Sequence, residues 1–260
     1  MDKEQIYKLL NEAYFSDDPH ERAIMEKLGP YMQGVRTFVD VGASLGQYTL
    51  FADKSMQDGH ILAIEADPIR HEELERNCKK WGEQSTNTLQ AMFAAVCDRD
   101  GEVTFNISNS NTSGGITRNE TNTNPNAKWE EITVPAVKLD TLFPQDPPDF
   151  VKVDIEGAEL GLLHGSERVL KSGKTVFFIE LHSWGQPDAV RELMAGHGYQ
   201  SQPVGGPSRV LFVPPARTKQ APPPAAKTEP ARPTAPVSIP LHRKVRYKLR
   251  KIMRDLLNRS

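Results

Sequence analysis

The chain is poor in cysteine, in long apolar runs and in residues that would mark it for export. Cys78 and Cys97 are the only two cysteines, too few for a disulfide framework, and they suggest a reducing compartment. No run reaches the ~18 apolar residues that a membrane span needs. The N-terminal stretch MDKEQIYKLLNEAY is charged and lacks the apolar centre of a signal peptide. A cytosolic protein is therefore expected. In that setting the glycosylation sequons at Asn111 and Asn119 mean little.

Strong net charge is lacking too, but the formal value of −2 hides an asymmetry. Residues 214–260 carry 12 Lys/Arg against 2 Asp/Glu, a net of +10, which leaves residues 1–213 at −12. An acidic body argues against nucleic acid as a partner of the core.

A dinucleotide fingerprint is also missing. The stretch TFVDVGASLGQYTLF (37–51) has the form of a strand, a glycine-bearing turn and a helix start. This is how an open α/β sheet brings backbone N–H groups and a helix N-terminus to a ligand. After Gly42, however, position 44 is Ser and position 47 is Gln, which breaks G-x-G-x-x-G and disfavours a nicotinamide oxidoreductase. Asp40 stands just before the turn. Its carboxylate would repel a pyrophosphate and accept from an ammonium group, as in the methionyl part of S-adenosylmethionine (SAM). The second strand, Ile61–Ile64, ends in Glu65-Ala66-Asp67-Pro68, about 20 residues on, where a carboxylate is placed to hold ribose hydroxyls.

Other elements follow the same alternation. Residues 3–14 and 21–28 read as amphipathic helices, either packing at the sheet edge or closing over the ligand. A helix is expected over 47–56, and another over 70–81 with Asp67 as N-cap and Pro68 at its start. Residues 89–96 read as a third strand. Asp98-Arg-Asp-Gly101 then turns the chain into a strand over 103–107, implying a local antiparallel pair. Residues 132–137, 150–154 and 175–181 are further strands. A short interrupted helix follows Gly157, a helix covers 187–197, and 199–204 with 209–213 form a closing hairpin. Residues 108–128 hold almost no large apolar side chain, and a polar loop of that length is either a functional loop or a solvated insertion.

The pieces FVDVGASLGQYT (38–49), IEADP (64–68), VKLDTL (137–142), VKVDIEGAE (151–159) and FIELH (178–182) together resemble the FkbM family of SAM-dependent methyltransferases. VKVDIEGAE is the most specific of them. The resemblance implies a Rossmann-like, seven-strand class I methyltransferase sheet with helices on both faces, over residues 35–213 after N-terminal helices in 1–34. It implies SAM as cofactor, held by Asp40, Gly42, Ala43, Ser44, Gly46 and Tyr48 of the first loop and by Glu65, Ala66 and Asp67 of the second. It also implies transfer to a hydroxyl of a sugar, glycan or related small-molecule acceptor. A polar loop with a Ser near Ser113 belongs to the pattern, so Ser113, with Glu156 and Glu159, is a candidate acceptor contact.

For such a transfer the protein must align a nucleophile and take up its proton. Asp154, at the end of one strand, and Glu180 and His182, at the end of its neighbour, are the candidate catalytic groups. Two roles stay open. His182 or Asp154 is the general base, or Asp154, Glu180 and His182 hold a divalent ion such as magnesium that acidifies the acceptor hydroxyl. Glu156 and Glu159 also fit a plain role as acidic residues matching a helix dipole. Lys152, alternating with Val151 and Val153, is expected at a neighbouring helix or the cleft rim. Trp184 is read as core packing, with ring stacking as its alternative.

Residues 214–240 form a Pro/Ala-rich linker, expected to be disordered. Residues 241–260 place Leu241, Val245, Leu249, Ile252, Met253, Leu256 and Leu257 on one helical face and Arg/Lys on the other. Over 241–259 that basic amphipathic helix suits an anionic membrane surface, which would put the protein at the inner membrane face, or a partner's groove, or the acidic body itself. A non-catalytic SAM-binding module whose tail recruits a partner or membrane is the alternative function.

Overall fold

In the computed structural model, residues 19–108, 115 and 129–217 are described. The expectations for the helix at 3–14, for Ser113 and most of its polar loop, for the linker beyond residue 217 and for the basic tail helix lie outside them.

The first described element, helix α1 (Pro19–Leu28), runs into a 3-10 turn over Gly29–Met32. The alternation then begins: β1 (Thr37–Val41), α2 (Gln47–Ser55), β2 (His60–Glu65), α3 (Pro68–Gly82) and β3 (Thr88–Phe93). Three strands outside this alternation follow, β4 (Ala95–Val96), β5 (Gly101–Ser108) and β6 (Trp129–Val137), before the one-turn helix α4 (Leu139–Leu142). The chain returns through β7 (Phe150–Val153), α5 (Glu159–His164), α6 (Glu167–Ser172), β8 (Val176–Glu180) and α7 (Pro187–Gly196). It closes with β9 (Gln200–Pro203) and β10 (Arg209–Val213).

The main sheet has the order β3-β2-β1-β7-β8-β10-β9. All its pairings are parallel except those of β10, which runs antiparallel to both β8 and β9. This is the expected seven-strand class I methyltransferase sheet. Its strands are apolar on both sides because helices cover both faces. One face packs Phe38, Ile61, Phe150, Phe178 and Leu211 with Ile24 and Leu28 of α1 and Ala52 of α2. The other packs Val39, Val41, Val151, Val153, Phe177, Ile179 and Phe212 with Leu162, Leu163, Leu170 and Val190.

The order places the topological switch point between β1 and β7. From β1 the chain moves out through β2 and β3, then comes back to β7 on the opposite side. Helices leaving β1 and β7 diverge there and leave a crevice at the strand ends. The register, Asp40 opposite Lys152 and Val41 opposite Val153, puts the glycine turn and the VKVDIEGAE segment side by side.

Three expectations change. The strand expected over 89–96 breaks at Ala94, whose N–H goes to Glu65 O; Ala95 and Val96 then pair with β6 in a separate three-strand sheet, β4-β6-β5. The antiparallel element after Gly101 exists, but its partner is β6 and not the preceding strand. Both β4 and β5 flank β6, with Ala95 and Gly101 each opposite Ala136, so the Asp98–Gly101 turn carries the chain across β6. The interrupted helix is two helices, α5 and α6, parted at Gly165, where a Cβ would strike the Cys97 carbonyl, 3.0 Å from its carbon. No helix among the described residues is long and apolar enough to cross a membrane.

Candidate active site

The glycine turn after β1 is built differently from the expectation. Its N–H groups are turned inward: those of Gly42 and Ala43 both donate to Ile64 O, that of Ser44 to Glu65 Oε2 at 2.7 Å, and that of Gly46 to Ala43 O. Gly42, at φ 72°, is required by close approach, since a Cβ there would lie 2.8 Å from the Asp154 carbonyl carbon and nearer still to its oxygen. Gly46, at φ 94°, admits Leu74 and Trp81 of α3, each within 2.9 Å of where its Cβ would be. The glycines therefore serve strand-to-strand and helix packing, and these four N–H groups are not offered to a ligand.

Asp40 departs from its expected role in the same way. It is fully buried; Oδ2 accepts from Thr49 Oγ1 at 2.8 Å, and Oδ1 has no hydrogen bond but lies 3.3 Å from Lys152 Nζ. The ammonium beside it is the chain's own. Lys152 also donates to Gly42 O at 3.0 Å, lies 3.7 Å from Asp154 Oδ2, and sits 5.3 Å from the Tyr48 ring centre. It is not at the rim but buried at the switch point, facing Tyr48 of α2 as one of the two expectations had it, and binding the ends of β1 and β7.

Tyr48, expected at the cofactor, gives its hydroxyl to Glu21 of α1 at 2.8 Å. Burial, with the Glu21 carboxylate beside it, pushes its phenol far above the ordinary value. Glu65 is buried, its Oε1 accepting from Asp67 N at 2.8 Å and its Oε2 from Ser44 N. Burial raises its carboxyl, against Arg70 and those two N–H groups. A carboxylate has about four acceptor positions, so Glu65 keeps capacity for hydroxyls after joining the two loops. Asp67 is the N-cap of α3, its Oδ1 accepting from the N–H groups of Ile69 and Arg70. Ala43 and Ala66 are buried, and Ser44 accepts from Arg70 Nη1 at 3.0 Å.

Across the crevice, the turn after β7 gathers the acids. Glu156 at φ 52° and Gly157 at φ 93° reverse the chain, and Trp184 Nε1 donates to Glu156 O at 3.0 Å. A non-glycine residue in the left-handed region costs of order 1–3 kcal/mol and persists only where its surroundings impose it. Glu159, in the first turn of α5, is wholly buried; its Oε1 accepts from Gly157 N at 2.9 Å and lies 2.8 Å from His182 Nδ1. The other imidazole nitrogen, Nε2, faces Asp154 Oδ1 at 3.8 Å and Glu156 Oε2 at 3.6 Å.

Burial alone would lower the His182 pKa. The Glu159 hydrogen bond and the charges of Glu159, Asp154 and Glu156 overcome it and push the imidazole up to about 9. Burial raises the Glu156 carboxyl, opposed chiefly by His182. At neutral pH the group is thus an imidazolium among three acids.

Glu180 does not join it. Its Oε2 is 3.1 Å from Arg209 Nε, while Arg209 Nη1 reaches Glu21 at 2.7 Å. The expected trio of Asp154, Glu180 and His182 is therefore replaced by Asp154, Glu156 and His182, because β10 places Arg209 directly opposite Glu180. Trp184 is half-buried, its ring 5.0 Å from that of His182, which makes it part of this cluster and not of the core.

The family model for the methyltransferase FkbM domain matches residues 40–201. The chain belongs to the FkbM methyltransferase family. Its FkbM domain thus takes in both loops and the whole acidic cluster. Among curated proteins no sequence matches. Solved structures similar to it include an FkbM methyltransferase from Methylobacillus flagellatus KT (18% identity, TM-score 0.48), covering 69% of this chain and 44% of that one. The chain thus spans less than half the length of that protein. A precorrin-6y C5,15-methyltransferase from Geobacter metallireducens GS-15 is 15% identical, with TM-score 0.44 over 75% of this chain and 87% of that one. An O-methyltransferase from Bacillus cereus, solved with SAH, is 12% identical, with TM-score 0.46 over 80% and 86%.

Lys152, Arg209, Arg70 and Trp184 are the residues that sequence reasoning missed or misplaced. For Lys152 a signal existed, since a lone lysine inside the apolar strand FVKV must be neutralised by something equally buried. For Arg209 none did.

Proposed function

We propose that the chain is a SAM-dependent O-methyltransferase acting on a hydroxyl of a sugar, glycan or related small-molecule precursor. One observation supports the reading: strand ends around the switch point carry a buried carboxylate with acceptor capacity to spare, Glu65, and an Asp–Glu–His cluster, Asp154, Glu156 and His182. Bound SAM supplies a methyl group on a sulfonium, which leaves as a neutral thioether. Glu65 is the residue suited to hold ribose hydroxyls, with Ser44, Asp67 and the turn from Asp40 to Gly46 shaping that side.

On the acceptor side, the new bond is between the hydroxyl oxygen and the methyl carbon, so the hydroxyl proton must go to a protein group. His182 already carries a proton at neutral pH, with Nδ1–H on Glu159. The acceptor of that proton is therefore a carboxylate, Asp154 or Glu156, and the raised carboxyl of Glu156 is the better matched to the task. His182 orients both and offsets their charge. Glu180 is engaged with Arg209 and is left out of the proton transfer. The half-buried Trp184 ring next to His182 offers a face for a sugar ring, and Ser113 remains a candidate contact in the polar loop.

The basic segment 241–259 directs the enzyme to an anionic membrane surface, which would favour a lipid-linked acceptor at the inner face; its alternative is a groove on a partner protein. The test is transfer of label from methyl-labelled SAM into a host-cell extract, with lipid and aqueous fractions separated. Label in an alkali-stable ether supports O-methylation, and its loss from the lipid fraction for a chain ending at Val213 supports the membrane reading. Measurable SAH binding with no label in either fraction would overturn methyl transfer in favour of a binding module.

A further inference from the structure

We infer that Asp154, Glu156 and His182 form a binding site for one divalent cation of the magnesium–manganese class. Oxygen and nitrogen ligands held ~2.1 Å from one ion lie ~3–4.2 Å from each other in an octahedral shell. His182 Nε2 is 3.8 Å from Asp154 Oδ1 and 3.6 Å from Glu156 Oε2, and the three donor atoms all lie within 4.8 Å of one another. The two spacings to Nε2 fall between those of adjacent and opposite ligands, so a closure of under ~1 Å brings the three atoms onto one ion, and both are too long for hydrogen bonds.

Two further observations point to a cation. The first is the support behind His182. A metal-bound imidazole characteristically gives its other nitrogen to a carboxylate, which fixes the ring's orientation. Glu159 does this from a fully buried position, and Gly185 leaves it room, since a Cβ there would overlap the Glu159 carboxylate. The second is charge: the carboxylates of Asp154, Glu156 and Glu159 converge on one imidazole, a concentration of acid that a cation at Nε2 offsets, while Lys152 acts on Asp154 and Arg70 on Glu156 from the sides.

One histidine and two carboxylates, with the remaining positions left to water or acceptor oxygens, suit manganese or magnesium more than zinc or copper. The ion takes the position of the Nε2 proton, and ligand protons are released on binding. Its catalytic value rests on the methyl-transfer reading: an acceptor hydroxyl bound beside such an ion would be more acidic and would give its proton more readily to the Glu156 or Asp154 oxygen that the ion leaves free.

The test is calorimetric titration of Mn²⁺ into the chelator-treated full chain, followed by electron paramagnetic resonance, with and without SAH. One Mn²⁺ per chain is expected, weakened at least tenfold in E156Q and in H182N. E159Q, which touches no ion, is expected to weaken it ~10–100-fold by releasing the imidazole. Circular dichroism and SAH titration of each variant report folding and the cofactor side separately. A folded wild-type chain that binds SAH but no Mn²⁺ overturns the site and leaves the methyltransferase reading intact. Mn²⁺ binding unchanged in both E156Q and H182N overturns it equally, as it would place the ion elsewhere. Mn²⁺ binding without SAH binding upholds the site and counts against the methyl-transfer reading.

Discussion

Lys152→Met tests the central claim about the switch point. The variant keeps an unbranched apolar stem of nearly the same length and removes the ammonium. Asp40 is then left fully buried with Thr49 Oγ1 as its remaining partner, because Oδ1 has no hydrogen bond and relies on Nζ at 3.3 Å. At that distance, and with an effective dielectric near 20, the direct attraction is ~5 kcal/mol. The desolvation of both groups offsets part of it in the intact pair. Removing one partner leaves the other's desolvation uncompensated, and the expected loss is about 3–5 kcal/mol. For a chain of this size that is a fall in Tm of roughly 10 °C. The assay is urea denaturation followed by circular dichroism, with the slope checked so that a change in midpoint reads as stability. The double variant D40N/K152M removes both charges and should recover more than half of the loss. The rest reflects Gly42 O, which also loses its 3.0 Å donor, at about 1 kcal/mol. A loss under about 1 kcal/mol in K152M, or a double variant no more stable than the single, would refute the ion-pair account.

Further outcomes follow from other contacts. His182, held up to about 9 against an ordinary 6.5, contributes stability that is full below pH 6.5 and is lost as pH rises through about 9. In chelator-treated protein, NMR titration of its ring should show the raised value, and E159Q should lower it and flatten the alkaline decline in stability. Gly42→Ala should cost more than about 4 kcal/mol and prevent soluble expression, because its Cβ would meet the Asp154 carbonyl. Gly101→Ala, also at positive φ but with nothing within 4 Å, should cost only about 1–2 kcal/mol, which separates collision from backbone strain. Arg209→Met removes the cation shared by Glu21 and Glu180, so limited proteolysis should cut within α1 far faster than in the parent chain.

What was legible in the sequence was the alternation of elements and the arrival of acids at strand ends. Buried parallel strands write themselves as apolar runs, and Asp67-Pro68 marks a helix start by chemistry that depends on nothing remote. The choice of partners was not legible. Asp154, Glu180 and His182 look equivalent when the rule is that neighbouring strand ends share a cleft. What decides between Glu156 and Glu180 is Arg209, 29 residues beyond Glu180 and on the antiparallel strand. No local pattern announces that register. The break at Ala94 belongs to the same class, since the run from 89 to 96 is continuous in hydropathy and only the pairing with β6 divides it.

The glycine turn teaches a related point about charge. From its sequence, Asp40 reads as a recognition group for a cationic ligand, since an acid before a tight turn has an obvious use. The fold gives that acid an internal cation, Lys152, drawn from the strand that the switch-point topology places beside it. The carboxylate that keeps acceptor capacity is Glu65, which joins the two loops through Ser44 N and Asp67 N. The pairing also gives nearly every polar residue of VKVDIEGAE a structural use. Lys152 closes the β1–β7 seam, Asp154 and Glu156 flank the imidazole of His182, Gly157 permits the reversal, and Glu159 holds that ring from behind. Its lysine faces Asp40 across the seam, whereas its three acids converge on His182. Substitution in the two groups should therefore produce distinct defects, in folding for Lys152 and in the site for Glu156 and Glu159.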